Sequence, residues 1–370
     1  MKSLTPFFQY WRSTLARDRE IVDAVVAPAH RGPSEALRSA LKEWPGVHYW
    51  VAGDGEGRLM LVRPIGRPQR ERWWLHALLF LVTFVTVWMG GAMLAGIAPH
   101  APAIRLSDLG GAGDALLDWL VGLRPGLEFA MALMAILLAH ETGHYLMAKW
   151  YGINVSPPFF LPAPPLWNFV GTFGAFIRLR SPVADRRQLL DVGAAGPWAG
   201  FVVAMLFLLV GLRQSQVYPG GGDWPFVVAI LGMEQPLGDS LLTWAARTWL
   251  LGDGTVGLHP LALAGWLGLL VTALNLLPLG QLDGGHVLYA LLGKRQVWFA
   301  RLTWLGLLAL GPWFKGWWVW AAFILILGRG SLAHPTVLDR YRGIPPSRQP
   351  FGWASALLFV VTFTPIPFHI

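Results

Sequence analysis

Apolar residues run through this chain in long blocks separated by short, Arg-rich polar segments, and the blocks dictate most of the fold. Residues 73–97, 127–151, 189–212, 258–292, 297–310 and 313–327 each read as membrane helices, and 351–368 is a borderline further one that contains prolines. The pattern therefore predicts about seven spans. Before the first block the rhythm changes. Residues 34–44, SEALRSALKEW, offer Ser34 as N-cap and Leu37 and Leu41 on one helical face. VHYWVAG and RLMLVRP then alternate around the turn DGEG, residues 54–57, as a hairpin. Residues 153–181 carry too many Pro and Gly for a helix yet alternate at TFGAFIRLR, which predicts a short sheet or re-entrant hairpin shielded from lipid by protein. The linker 213–257, apolar but broken by Pro and acidic residues, reads as interfacial helices. The expected fold class is an all-α polytopic membrane protein with a small re-entrant β segment and a small N-terminal α+β cytosolic domain. Its expected domains are 1–70 and 71–370.

Composition agrees. Hydrophobic residues make up 54% of the 370 and charged residues only 14%, more apolar content than a soluble core of this size requires. The formal net charge of +8 raises the possibility of nucleic acid, but its distribution excludes that reading. Most of the 29 Lys and Arg fall on segments that one topology, with a cytosolic N-terminus, places in the cytosol. Cysteine is absent, so disulfides and thiolate ligands are excluded. The opening FFQYWR is too short and too interrupted for a signal-peptide core, and no cleaved leader is expected. An integral, multi-pass location follows, and a bacterial plasma membrane fits it.

The chemistry sits in LEFAMALMAILLAHETGHYLMAKWY, residues 127–151. His140 and His144, four residues apart, project from one helical face and can share one tetrahedral ion, with Glu141 beside its open position as a general base. Burying such groups in a bilayer costs about 2.5 kcal/mol or more each unless something compensates, and a shared metal compensates for all of them. A third ligand must come from another segment. Asp283 is the one acidic residue in the apolar stretch 258–292, where Pro278, Gly280, Gly284 and Gly285 loosen the helix. Taken alone, Asp283 fits a proton relay or a packing group as well, and a transporter or ion pathway would also place His, Glu and Asp inside the membrane. Such a pathway has no need of i, i+4 histidines flanking a Glu. His76 reads as an interfacial residue, and His334, without a motif partner, as a surface histidine.

HETGH in one span and the pattern N-x-x-P-x-x-x-L-D-G-G in a later one (Asn275, Pro278, Leu282, Asp283, Gly284, Gly285) resemble the two signatures of the site-2 protease family of intramembrane zinc metalloproteases. GTFGAFIRLRS (171–181) and GAAGPWAG (193–200) resemble that family's strand segment and next span, so the likeness covers about residues 127–292, the expected catalytic core. The resemblance implies His140, His144 and Asp283 as ligands of one zinc ion per chain and Glu141 as the base that activates water. It assigns Asn275 to holding the substrate peptide or its oxyanion. It implies a zinc metalloendopeptidase whose partners are a transmembrane protein or peptide substrate and the lipid bilayer, with no nucleic acid. Oligomeric state is not encoded in any motif.

Overall fold

The computed structural model describes residues 3–16, 19–31, 34–51, 57–64, 71–96, 123–165, 168–180, 183–218, 224–230, 233–335, 337 and 343–369. The hairpin tip 54–56 and most of the loop 98–126 lie outside them.

Residues near the N-terminus build an antiparallel four-stranded sheet in the order β1-β2-β4-β3, from β1 (Phe8–Ala16), β2 (Arg19–Val26), β3 (Val47–Trp50) and β4 (Arg58–Pro64). Helix α1 (Glu35–Lys42) covers one face, its N-terminus capped by the Ser34 hydroxyl, which accepts from the Leu37 N–H at 3.3 Å. Val22, Ala24 and Val26 alternate inward along β2 and bury against Leu37, Leu41, Leu59 and Leu61. On β2 and β4 the opposite face is tied by the ion pair Asp23–Arg58, while the pair Glu20–Arg63 continues the inward face, where Arg63 lies over the Trp44 ring. The hairpin β3–β4 is the expected one, paired from Val47↔Val62 to Trp50↔Leu59. Strands β1 and β2 are additional. Tyr10 and Trp11 are both exposed on β1, so this edge strand carries no inward–outward alternation to read.

Among the described residues three helices are long and apolar enough to cross a membrane: α2 (Trp73–Leu94), α3 (Arg124–Trp150) and α4 (Arg186–Leu212). Between α3 and α4 lies the expected hairpin of β5 (Phe159–Pro162) and β6 (Thr172–Phe176), which packs on α2. His76 on α2 is not merely interfacial. It is buried, bonds the Pro158 carbonyl through Nδ1 at 3.0 Å and packs on the Phe159 ring, fixing the hairpin to α2.

Two expectations are corrected beyond α4. The linker to the next span forms a second sheet, ordered β7-β10-β8-β9, from β7 (Gln216–Tyr218), β8 (Phe226–Ile230), β9 (Met233–Leu237) and β10 (Thr255–Gly257), with one helix, α5 (Leu241–Leu251). An all-α description therefore fails for this segment. Val227, Val228 and Ile230 favour a strand over a helix, and Pro225 and Pro236 deny a helix its N–H donors. Among the described residues of this linker only α5, begun by a capping box between Ser240 and Thr243, is an α-helix. The stretch 258–292 is likewise not one helix but two, α6 (Pro260–Asn275) and α7 (Asp283–Leu292). Gly280 takes φ +50°, and a Cβ on Gly284 would stand 1.8 Å from the Leu276 carbonyl oxygen, so the chain turns tightly in the break.

Helices α8 (Gln296–Leu310) and α9 (Gly316–Leu327) follow, and α10 (Gln349–Thr362) is shorter than the expected 351–368 block. Residues 363–369 leave the helix. Gly238 N–H donates to the Pro367 carbonyl and His369 N–H to the Pro236 carbonyl, which fastens this tail to the end of β9.

Candidate metal centre

Helix α3 delivers the HETGH residues near its C-terminal end, with His140, Glu141 and His144 all buried. Room for the two rings comes from glycines on α4. A Cβ on Gly196 would stand 2.1 Å from His144 Nε2, and one on Gly200 would lie 3.2 Å from the His140 ring. The GAAGPWAG segment is thus a groove for imidazoles, and Gly143 lets the backbones approach by resting against the Ala195 carbonyl.

Orientation of His144 is fixed by its other nitrogen. Nδ1 donates to the Val192 carbonyl at 2.7 Å, which leaves Nε2 as the nitrogen with the free lone pair. That atom lies 3.1 Å from His140 Nε2 and 3.2 Å from Asp283 Oδ2, and His140 Nε2 lies 3.3 Å from the same oxygen. Three donors about 3.1 to 3.3 Å apart fit a tetrahedral ion, because bonds of about 2.0–2.1 Å at tetrahedral angles set the donors roughly 3.3 Å apart. Nitrogen, nitrogen and carboxylate oxygen are donors that suit zinc. Among the described residues this is the one group of three or more such side chains able to hold a metal ion.

Asp283 arrives from the first position of α7, immediately after the break. Asn275 ends α6 on the near side of that break, its amide nitrogen 3.3 Å from His140 Nε2. All five residues singled out in the sequence therefore come together. Glu141 is not one of the three donors and, with His140, lines a cavity of about 410 Å³. Thr172 to Ala175 of β6 form one wall of that cavity, and Phe314, Trp317 and Phe368 lie on another.

The M50 family model, peptidase family M50, matches residues 128–302, a segment that contains both motifs and the whole donor set. That segment is similar to peptidase family M50. The M50 segment includes α4, both strands of the hairpin and the α6–α7 pair, while the N-terminal sheet, α9 and α10 lie outside it. Among similar proteins, the probable zinc metalloprotease EGY2, chloroplastic, of Arabidopsis thaliana is 36% identical over 242 residues, 63% of this chain and 40% of that protein. The probable zinc metalloprotease EGY1, chloroplastic, of Oryza sativa subsp. japonica is 35% identical over 266 residues, 68% of this chain and 44% of its own. The chain thus spans less than half the length of these relatives. No solved structure matches it. The likeness to zinc metalloproteases gives the ion-pathway reading no support.

His334 is a correction. Rather than standing alone at the surface, it stacks on Tyr289 at 4.6 Å and meets His286 with a 2.6 Å contact between His286 Nδ1 and its own Nε2. Burial, together with the facing His286 ring, pushes His334 down to about 4. Its partner was visible in the sequence only as the His that closes NLLPLGQLDGGH, and nothing local connects positions so far apart.

Proposed function

We propose that this chain is an intramembrane zinc endopeptidase that hydrolyses peptide bonds within or near transmembrane segments of other proteins. The observation that carries this reading is the convergence of His140 Nε2, His144 Nε2 and Asp283 Oδ2 at zinc spacing, with Glu141 beside them on a cavity large enough for part of a peptide. His140, His144 and Asp283 would hold one zinc ion, which would supply Lewis acidity toward a peptide carbonyl and an attacking water. Glu141 takes the proton from that water and returns it to the nitrogen of the departing amine. Asn275 presents its amide N–H to the carbonyl oxygen as negative charge develops there. Burial of the three HETGH side chains keeps bulk water from competing for these contacts.

An intact helix hides its carbonyls, so the substrate is a transmembrane segment with a locally unwound stretch. β6, which lines the cavity beside Glu141, offers a strand along which that stretch extends. Proline substitutions along residues 172–177 then impair cleavage more than zinc retention. Equal loss of both would leave the hairpin a packing role only.

The chain spans the bilayer about seven times, and the Arg-rich segments put the N-terminus in the cytosol, with residues 1–70 as a cytosolic domain on the membrane domain 71–370. Lys149 in the last turn of α3 and Lys294 and Arg295 after α7 mark the same side, so the site lies nearer the cytosolic face. Two contacts support that placement of the domain: Arg19 Nε donates to the Arg180 carbonyl at 3.0 Å, and Arg180 pairs with Glu71 at the start of α2.

The test is cleavage of single-span model substrates in detergent by wild type and by Glu141→Gln, with zinc measured on the same samples. Loss of cleavage by about 100-fold or more with zinc retained supports the assignment. Wild type purified gently without zinc would sink the metal-site reading.

A further inference from the structure

Asp283 differs from the two histidines in how it is held. It begins α7, and the residue before it, Leu282, gives that helix no side-chain cap. Its position is therefore set by the packing of α7 on α4 and by what fixes the break 276–282. That break is fastened from outside by residues 331–335, a segment beyond α9 and beyond the last residue of the M50 match. Gly280 N–H donates to the Leu332 carbonyl at 3.2 Å.

The fastening has a centre. Gln296, 1% exposed at the start of α8, sends its amide nitrogen to the Pro278 carbonyl at 3.2 Å and toward the Leu332 carbonyl at 3.5 Å. Its amide oxygen accepts from the His334 N–H at 3.2 Å. One buried amide thus joins the break to the outer segment with donors and acceptor both engaged. A second tie grips α7 itself. A carbonyl only accepts, so His334 Nδ1 must donate to the Pro335 oxygen, which leaves His334 Nε2 as an acceptor for the N–H on His286 Nδ1. His286 sits one turn after Asp283, and Gly193 on α4 makes space for it: a Cβ there would stand 2.8 Å from His286 Cβ.

We propose that Gln296 and His334 are positioning residues that hold Asp283 at coordination distance from His140 and His144. This rests on the zinc reading above. Donor spacing near 3.2 Å leaves little tolerance for movement of α7, and groups that orient a metal ligand without touching the metal are worth about 10–100-fold in affinity.

The experiment uses the full chain loaded with zinc in detergent and follows zinc release to a chelator, with the melting temperature of the metal-free protein as a second readout. Gln296→Met keeps the length and removes the bonds, and His334→Ala cuts the second tie from an outer segment. Each is expected to release zinc about 10–100-fold faster than wild type. In an Asp283→Ala background, where only the two histidines bind, neither substitution is expected to change release further. Release rates equal to wild type, or effects that add fully to Asp283→Ala while the metal-free melting temperature falls, would reduce these residues to ordinary packing and overturn the proposal. Wild type that binds no zinc overturns it together with the metal-site reading, whereas wild-type zinc with indifferent variants overturns it alone.

Discussion

The two halves of the metal centre are built by different means. On α3 the ligand pair follows from helical geometry, because residues four apart share a face whatever surrounds them. Asp283 has no such guarantee. It stands at the start of a helix set loose from its predecessor by Pro278 and Gly280, and only contacts from distant parts of the chain give it a place. Local periodicity makes a pair of ligands cheaply, and tertiary ties make the third.

Substitutions can pull that contrast apart. The largest effect is expected at Asn275, where replacement by Ala removes the amide beside His140 and lowers cleavage by about 100- to 1,000-fold while zinc content stays at wild type. Metal analysis beside initial rates checks it, and parallel loss of zinc would move Asn275 from the reaction to the scaffold. Next comes Gly284→Ala on the broken side. Its Cβ would meet a backbone carbonyl at 1.8 Å, which cannot swing aside as a side chain can, so a loss of about 3 kcal/mol by denaturant titration is expected together with impaired zinc retention. Gly196→Ala, on the helical side, meets a ring rather than a backbone atom. Tilting of His144 lessens the clash, so stability falls by about 2 kcal/mol or less while zinc affinity drops. Should Gly196→Ala prove harsher to the fold than Gly284→Ala, the contrast between the two halves fails.

The smallest effect is one of pH. His334 has its folded value at about 4, below its ordinary 6.5, so the folded state resists the proton that the unfolded chain accepts. The stability it contributes is complete above about pH 6.5 and is lost as pH falls from there toward about 4. His286, Tyr289 and the Gln296 amide are the groups that face it. Melting temperature followed over that range should decline more steeply in wild type than in His334→Asn, and parallel curves would contradict the sign.

Legibility in the sequence follows the same division. HETGH, the glycines of α4, the long spans and the β3–β4 hairpin all lie in short windows whose spacing states their geometry. Asp283 was readable because a lone carboxylate in an apolar block needs a reason. The second sheet was not, since its strands of three to five residues carry no period, and β10 reaches β7 only after the α5 helix has passed between them. Gln296 and His334 gave no signal either. Their partners lie 18 to 48 residues away, and an amide or imidazole in a polar loop looks the same whether it is buried or bathed in water.

The separation of His144 from Asp283 by 139 residues also sets a clock for biosynthesis. At roughly 5–20 residues per second, a ribosome that has just made HETGH needs on the order of 7 to 28 seconds more before the aspartate exists. During that interval α3 carries two imidazole ligands with the third ligand still unmade. A nascent chain therefore lacks the complete donor set while its first three long helices enter the bilayer.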